Sequence, residues 1–172
     1  MTERMPPHAS QPMSKDDPGY RRARDSALRL LRVRPRSVAE LRQRLSRKGF
    51  NPLLVEEVLA FLRRLGYLDD LSFARAWVRG RMNSRPRSRR LLMRELRQKG
   101  VDEETIAQAV DAVGEDAEAE SCRMLAEKRA RQLKDVSPER ARLRIAAFLK
   151  RRGYRTAHIM NALQDTHGYE EL

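Results

Sequence analysis

Leu41-Arg42-Gln43-Arg44-Leu45-Ser46-Arg47-Lys48-Gly49-Phe50 is the stretch on which the reading of this chain turns. It returns as Leu92-Met93-Arg94-Glu95-Leu96-Arg97-Gln98-Lys99-Gly100-Val101. A looser copy runs Ile145-Ala146-Ala147-Phe148-Leu149-Lys150-Arg151-Arg152-Gly153-Tyr154. Each copy places an apolar residue eight before a Gly and a Leu four before it. Each has Lys or Arg directly before the Gly and an apolar residue directly after. Residues four apart share one helix face, and a Gly stops a helix because a left-handed residue there meets no Cβ clash. The three glycines stand 51 and 53 residues apart. A period of that size marks a repeat architecture.

Working outward, every copy is the middle of a three-helix unit. Upstream of the first, Ala27, Leu30 and Leu31 define an apolar face, helical signal starts near Tyr20, and Pro35 breaks it. Ser37-Val38-Ala39-Glu40 has the form of a capping box, and Asn51-Pro52 opens the next helix as N-cap and first residue. Val55, Val58, Leu59 and Leu62 are its buried side, and Gly66 closes it. In the second unit Phe73, Ala74 and Trp77 face inward, Asn83-Ser84-Arg85-Pro86 is a loop, Ser88 caps a helix carrying Leu91, Leu92 and Leu96, and Asp102 caps the next. In the third, an acidic segment from Glu115 to Glu120 precedes Met124, Leu125 and Leu133, which are expected to be buried. Ser137-Pro138 starts the following helix, and Thr156 is expected to cap the last. Ile106, Ala109 and Val110, then Ile159, Ala162 and Leu163, keep the offsets of Val55, Val58 and Leu59 from their glycines. No segment shows strand alternation. The predicted fold is all-α: a disordered tail over 1–19, then three tandem three-helix repeats over 20–68, 69–116 and 117–172. Such small units bury enough apolar surface by stacking, so an elongated, curved, solenoid-like body is expected.

The chain has 172 residues and a formal net charge of +13, and the charge is unevenly placed. Residues 21–100 hold 23 Lys and Arg against 7 Asp and Glu, a net of +16. Residues 101–172 hold 12 against 14, a net of −2. An Arg bias imposed by a GC-rich genome would leave no such asymmetry. A basic surface attracts polyanions, and Arg suits bidentate contact with phosphate or carboxylate. Nothing resembles a signal peptide or a membrane span, and the single cysteine, Cys122, excludes an internal disulfide framework. A cytoplasmic protein with no membrane association is expected.

Catalytic patterns are missing. His8, His158 and His167 stand apart, no glycine-rich phosphate loop occurs, and no metal spacing is present, so no cofactor and no enzymatic activity is expected. Asp69-Asp70 reads as a helix N-terminus rather than a metal site. Phe73 and Trp77, four apart, read as core, and with 5% aromatics base stacking is a weak mechanism. The run from Arg75 to Arg94 is different: eight arginines and no acid. A solvated face mixes both signs. The candidates for phosphate or acidic-surface contact are therefore Arg79, Arg81, Arg85, Arg87, Arg89, Arg90 and Arg94. Arg42, Arg44, Arg47 and Lys48 come second, and Arg63 and Arg64 third. The cation before each glycine (Lys48, Lys99, Arg152) also suits helix C-terminal capping.

Ser37-x-x-Glu40-Leu41-x-x-x-Leu45-x-x-Lys48-Gly49-Phe50, then Gly66-Tyr67-Leu68-Asp69-Asp70-x-x-Phe73-Ala74, then Glu95-Leu96-x-x-Lys99-Gly100-Val101 resembles the RecX family of bacterial recombination regulators. The resemblance covers roughly residues 25–165. It departs at Ser88, where many members have Gly, and in the third repeat, where Arg152 replaces Lys. It implies three tandem three-helix repeats and a non-enzymatic protein that binds the RecA recombinase filament on DNA; a monomer is expected. It implies that binding modulates, usually suppressing, strand exchange, ATP hydrolysis and co-protease activity in DNA repair and the SOS response. Two other readings remain open: a helix-turn-helix regulator that binds DNA without recombinase, and an adaptor for an acidic protein.

Overall fold

The computed structural model describes residues 17–167. Among these residues there are nine helices and no strand: α1 Pro18–Val33, α2 Val38–Ser46, α3 Pro52–Arg64, α4 Asp70–Ser84, α5 Arg89–Gln98, α6 Glu103–Asp111, α7 Glu115–Arg131, α8 Pro138–Arg151 and α9 Thr156–His167. The chain divides between Asp69 and Asp70 into two compact units. The first holds α1–α3 and the second α4–α9. Most of the expected tail lies outside the described residues. Its end does not: α1 already starts at Pro18, because the Asp17 carboxylate accepts from the Gly19 and Tyr20 amides and Pro18 sits at N1.

The repeated decapeptide is a helix ending written in sequence. In the first copy the Phe50 amide donates to the Leu45 carbonyl and the Gly49 amide to the Ser46 carbonyl. Val101 to Leu96 and Gly100 to Arg97 repeat this, as do Tyr154 to Leu149 and Gly153 to Lys150. This is the paired-bond Schellman turn. Its geometry requires Leu at the third residue from the helix end, a left-handed residue at C′ and an apolar residue after it. Gly49, Gly100 and Gly153 supply φ of 81°, 71° and 84°.

Three small cores follow from the pattern. α1–α3 close over Leu41, Leu45, Val55, Val58, Leu59 and Leu62. α4–α6 close over Phe73, Ala74, Leu92, Leu96, Ile106 and Val110. α7–α9 close over Cys122, Ala126, Ile145, Leu149, Ile159 and Leu163. Burying one such aliphatic side chain contributes about 1.5–3 kcal/mol. The expected N-caps are made by Ser37 to the Glu40 amide, Asn51 to Leu53, Ser88 to Leu91 and Asp102 to Thr105.

Three local expectations are corrected. α4 runs through Asn83 and Ser84, whose hydroxyl bonds back to the Gly80 carbonyl, so the loop is only residues 85–88. Thr156 is the first residue of α9 and not its cap; the Arg155 carbonyl already accepts the Ile159 amide. Met124 is 54% exposed, because the stripe of α7 turned inward is Glu118, Ser121, Cys122 and Ala126. The apolar face expected on α1 is present: Ala27 is fully buried, as is Ala23, and Leu30 and Leu31 pack partly buried against the same core.

Candidate nucleic-acid interface

The acid-free run from Arg75 to Arg94 spans most of α4, the short loop and the first half of α5. The acid comes one residue later. Glu95 follows Leu91 and Leu92 on the inward face of α5 and is only 8% exposed. Its Oε2 accepts from Trp77 Nε1 and from Arg81 Nε, both at 2.9 Å, and its Oε1 pairs with Arg87. Arg81 and Lys99 stand against the Trp77 ring, 4.4 and 4.9 Å from its centroid. Two of the seven first-ranked arginines are thus committed to a half-buried network that ties α4 to α5. Arg89 reaches Asp111 at 3.6 Å. Arg79, Arg85, Arg90 and Arg94 pair with no carboxylate among the described residues.

Arg85, Arg87, Leu91 and Arg94 line a cavity of about 310 Å³ together with Arg151 and Arg152 from the end of α8. Five guanidiniums therefore converge where the second and third repeats meet. Burial pulls the Arg87 side chain below its ordinary value, and the cations of Arg81, Arg152 and Arg85 add to this. Arg152 is lowered the same way, first by burial and then by Arg85, Arg151 and Arg129, against an opposing pull from Tyr154. Like charges crowded in this way favour an anion between them.

The junction is fixed by backbone as much as by side chains. The Ser88 amide donates to the Arg152 carbonyl at 3.1 Å. The Arg89 amide donates to Glu118 Oε1 at 3.2 Å, and the Leu91 amide to Ser88 Oγ at 3.1 Å. Three of the free N–H groups at the start of α5 are satisfied, two of them by the third repeat.

In the first unit, Arg42 clamps Glu56 with both arms, at 2.5 and 3.0 Å, and holds that carboxyl below its usual range. Lys48 Nζ donates to Ser26 Oγ at 2.7 Å. Arg44, Arg47 and Arg63 pair with no described carboxylate, and Arg64 stands over the Phe61 ring at 5.7 Å. Ser26 and Trp77 both lie 23 residues before their glycine. The cation before the glycine therefore does more than complement a helix end. In the first two repeats it reaches the same position of the first helix.

Three family models match in order: the first three-helix domain of RecX over residues 23–62, the second over 69–110 and the third over 116–163. The chain belongs to the RecX family. The "Regulatory protein RecX" of Amycolatopsis mediterranei (strain U-32) is 41% identical over 150 residues, covering 87% of this chain and 83% of that protein. That of Thermobifida fusca (strain YX) is 39% identical over 135 residues, covering 78% and 73%. The crystal structure of RecX from Lactobacillus salivarius superposes with a TM-score of 0.76 at 21% identity, covering 87% of this chain and 97% of that one. A second crystal structure of regulatory protein RecX gives 0.73 at 23%, covering 86% and 72%. These two share the fold.

Sequence reasoning does not assign to the site four residues that the structure of this RecX chain brings there: Glu95, Glu118, Arg151 and Arg152. Glu95 carries a signal, an acid on an otherwise apolar helix face five before its glycine. Arg151 and Arg152 are passed over because the net of −2 over residues 101–172 hides the basic character of 117–172, which holds 12 Lys and Arg against 8 Asp and Glu; contact with the second repeat recruits them to the site. Asp70 stands in the first turn of α4, as expected, and no group of three or more metal-ligating side chains occurs among the described residues. No described helix is long and apolar enough to cross a membrane.

Proposed function

We propose that this RecX chain binds a RecA-type recombinase filament on DNA and restrains its ATP hydrolysis, strand exchange and co-protease activity. It acts in the cytoplasm, as a monomer and by binding rather than catalysis, within DNA repair and the SOS response. The observation that carries this reading is the set of arginines on α4 and α5 that no carboxylate of the described chain neutralises, in a chain whose relatives are named regulatory proteins. A filament offers continuous phosphate and protein carboxylates, and both are ligands for guanidinium.

The test is DNA-dependent ATP hydrolysis by the filament with the purified protein added below one per recombinase subunit. Slowing at these amounts supports the proposal. No slowing, at a salt concentration where the protein still binds bare DNA, would replace it with a direct DNA-binding regulator.

A further inference from the structure

We propose that the cavity between the second and third repeats is a subsite for one backbone phosphate of single-stranded nucleic acid, held by Arg85 and Arg94 from one repeat and Arg151 and Arg152 from the other. This deepens the polyanion reading above and rests on it for the class of ligand.

Three observations converge on it. The first is charge. Of the five arginines lining the cavity only Arg87 has a carboxylate partner among the described residues, Glu95. The other four bring guanidinium forks, whose planar donors match a phosphate's oxygens. The second is rigidity. The two sides are pinned by the Ser88 amide to the Arg152 carbonyl and by the Arg89 amide to Glu118. A site held by two repeats that are fastened together is preorganised, so little ordering is needed on binding.

The third observation selects single strands. A second cavity of about 230 Å³ shares the Arg85 and Arg152 walls. Pro86, Leu125 and Phe148 give it an apolar side, and Arg129 and Gln132 give it donors and an acceptor. The Phe148 ring is flanked by Arg152 at 4.0 Å and Arg129 at 5.6 Å. A phosphate in the first cavity would carry its base to the mouth of the second. There an unpaired base finds guanidinium planes to stack on and polar atoms for its edge. A base held in a duplex cannot leave its stack without an unpairing cost.

The test is fluorescence anisotropy of the full chain with a short oligo-dT strand, without recombinase. Arg94→Gln and Arg151→Gln are compared singly and together. Both positions are exposed, so melting temperatures should stay at the wild-type value. Each single change should weaken binding by about tenfold, the scale of one charge-assisted hydrogen bond. The double change should weaken it by much less than the product, because both side chains serve one phosphate. The matching duplex should bind more weakly and respond little to either change. Multiplicative losses, or an Arg151→Gln protein that binds like wild type, would overturn the shared site. So would a duplex that depends on both residues as strongly as the single strand. Normal filament inhibition by the double variant together with undiminished oligo-dT binding would sink the site and leave the proposed function standing. A wild-type protein that binds oligo-dT through both arginines yet leaves the filament uninhibited would do the reverse.

Discussion

The carboxylate of Glu118, in the first turns of α7, accepts the backbone N–H of Arg89, the first residue of α5, at 3.2 Å. An acid from one repeat thus caps a helix of another. It sits at the positive end of the α5 dipole and is only 4% exposed. Glu118→Ala should cost about 1 kcal/mol, the usual scale of a lost N-cap. Glu118→Gln keeps an acceptor and should cost less. Urea denaturation of both variants checks the order. Equal midpoints for Glu118→Ala and wild type would show that the cap contributes nothing.

Gly49 and Gly153 occupy the same place in their repeats, with φ of 81° and 84°, but their surroundings differ. A Cβ on Gly49 would meet nothing within 4 Å. On Gly153 it would meet Ser88 Oγ at 2.5 Å and Leu91 Cβ at 3.0 Å. Gly49→Ala should therefore cost only the left-handed backbone penalty, about 1–2 kcal/mol. Gly153→Ala should cost distinctly more, because α5 must shift off the turn. Calorimetric melting of the two variants side by side checks this, and equal losses would contradict the close approach.

These glycines also show what local sequence can and cannot encode. The spacing Leu-x-x-x-Gly-apolar is the paired-bond helix ending itself, so turns and helix boundaries are legible from local chemistry. The cores are legible for the same reason, as Val55, Ile106 and Ile159 keep one offset. Met124 is misplaced by pattern alone, because α7 has two neighbouring apolar residues and only the third-repeat packing chooses between stripes. The arginine run is legible as charge but not as roles. Arg81 and Arg87 differ from Arg79 and Arg90 only through Glu95, whose inward direction depends on where Trp77 stands. Arg151 and Arg152 enter the site through the packing of one repeat on another, which no local pattern encodes.

Cys122 and Tyr154 give the third repeat an alkaline limit. Burial raises the Cys122 thiol from its ordinary value of 9.0 to about 12, with the Glu118 carboxylate adding to the effect. Burial raises the Tyr154 phenol from 10.0 to about 12, partly offset by its 2.9 Å hydrogen bond with Ser121. Both groups are held neutral when folded and ionise more readily when unfolded. Their contribution is therefore complete below pH 9, and it is lost as the pH climbs towards 12. Melting temperature should fall across that window, and a Cys122→Ala, Tyr154→Phe double variant should fall less steeply. A thiolate-selective reagent at about pH 8 should label the native protein only at the rate of unfolding. Prompt labelling would contradict the burial.

The division among the arginines makes the sharpest prediction. Arg81 and Arg87 share Glu95, so removing that acid leaves two cations facing each other where α4 packs on α5. Glu95→Ala should destabilise the second unit by about 2–3 kcal/mol. This lies below the range for a fully buried pair, because Arg81 and Arg87 keep 31% and 26% side-chain exposure. Arg79, Arg85, Arg90 and Arg94 have no such carboxylate partner among the described residues, and changing all four to Gln should leave stability near wild type. That variant should instead bind DNA more weakly and with a flatter salt dependence. The logarithmic slope should fall by about 0.7–0.9 for each phosphate that is no longer neutralised. Denaturation midpoints and binding titrations at several salt concentrations measure the two effects separately. An unchanged salt slope in the four-residue variant would remove these arginines from the interface, and wild-type stability in Glu95→Ala would remove the carboxylate from the scaffold.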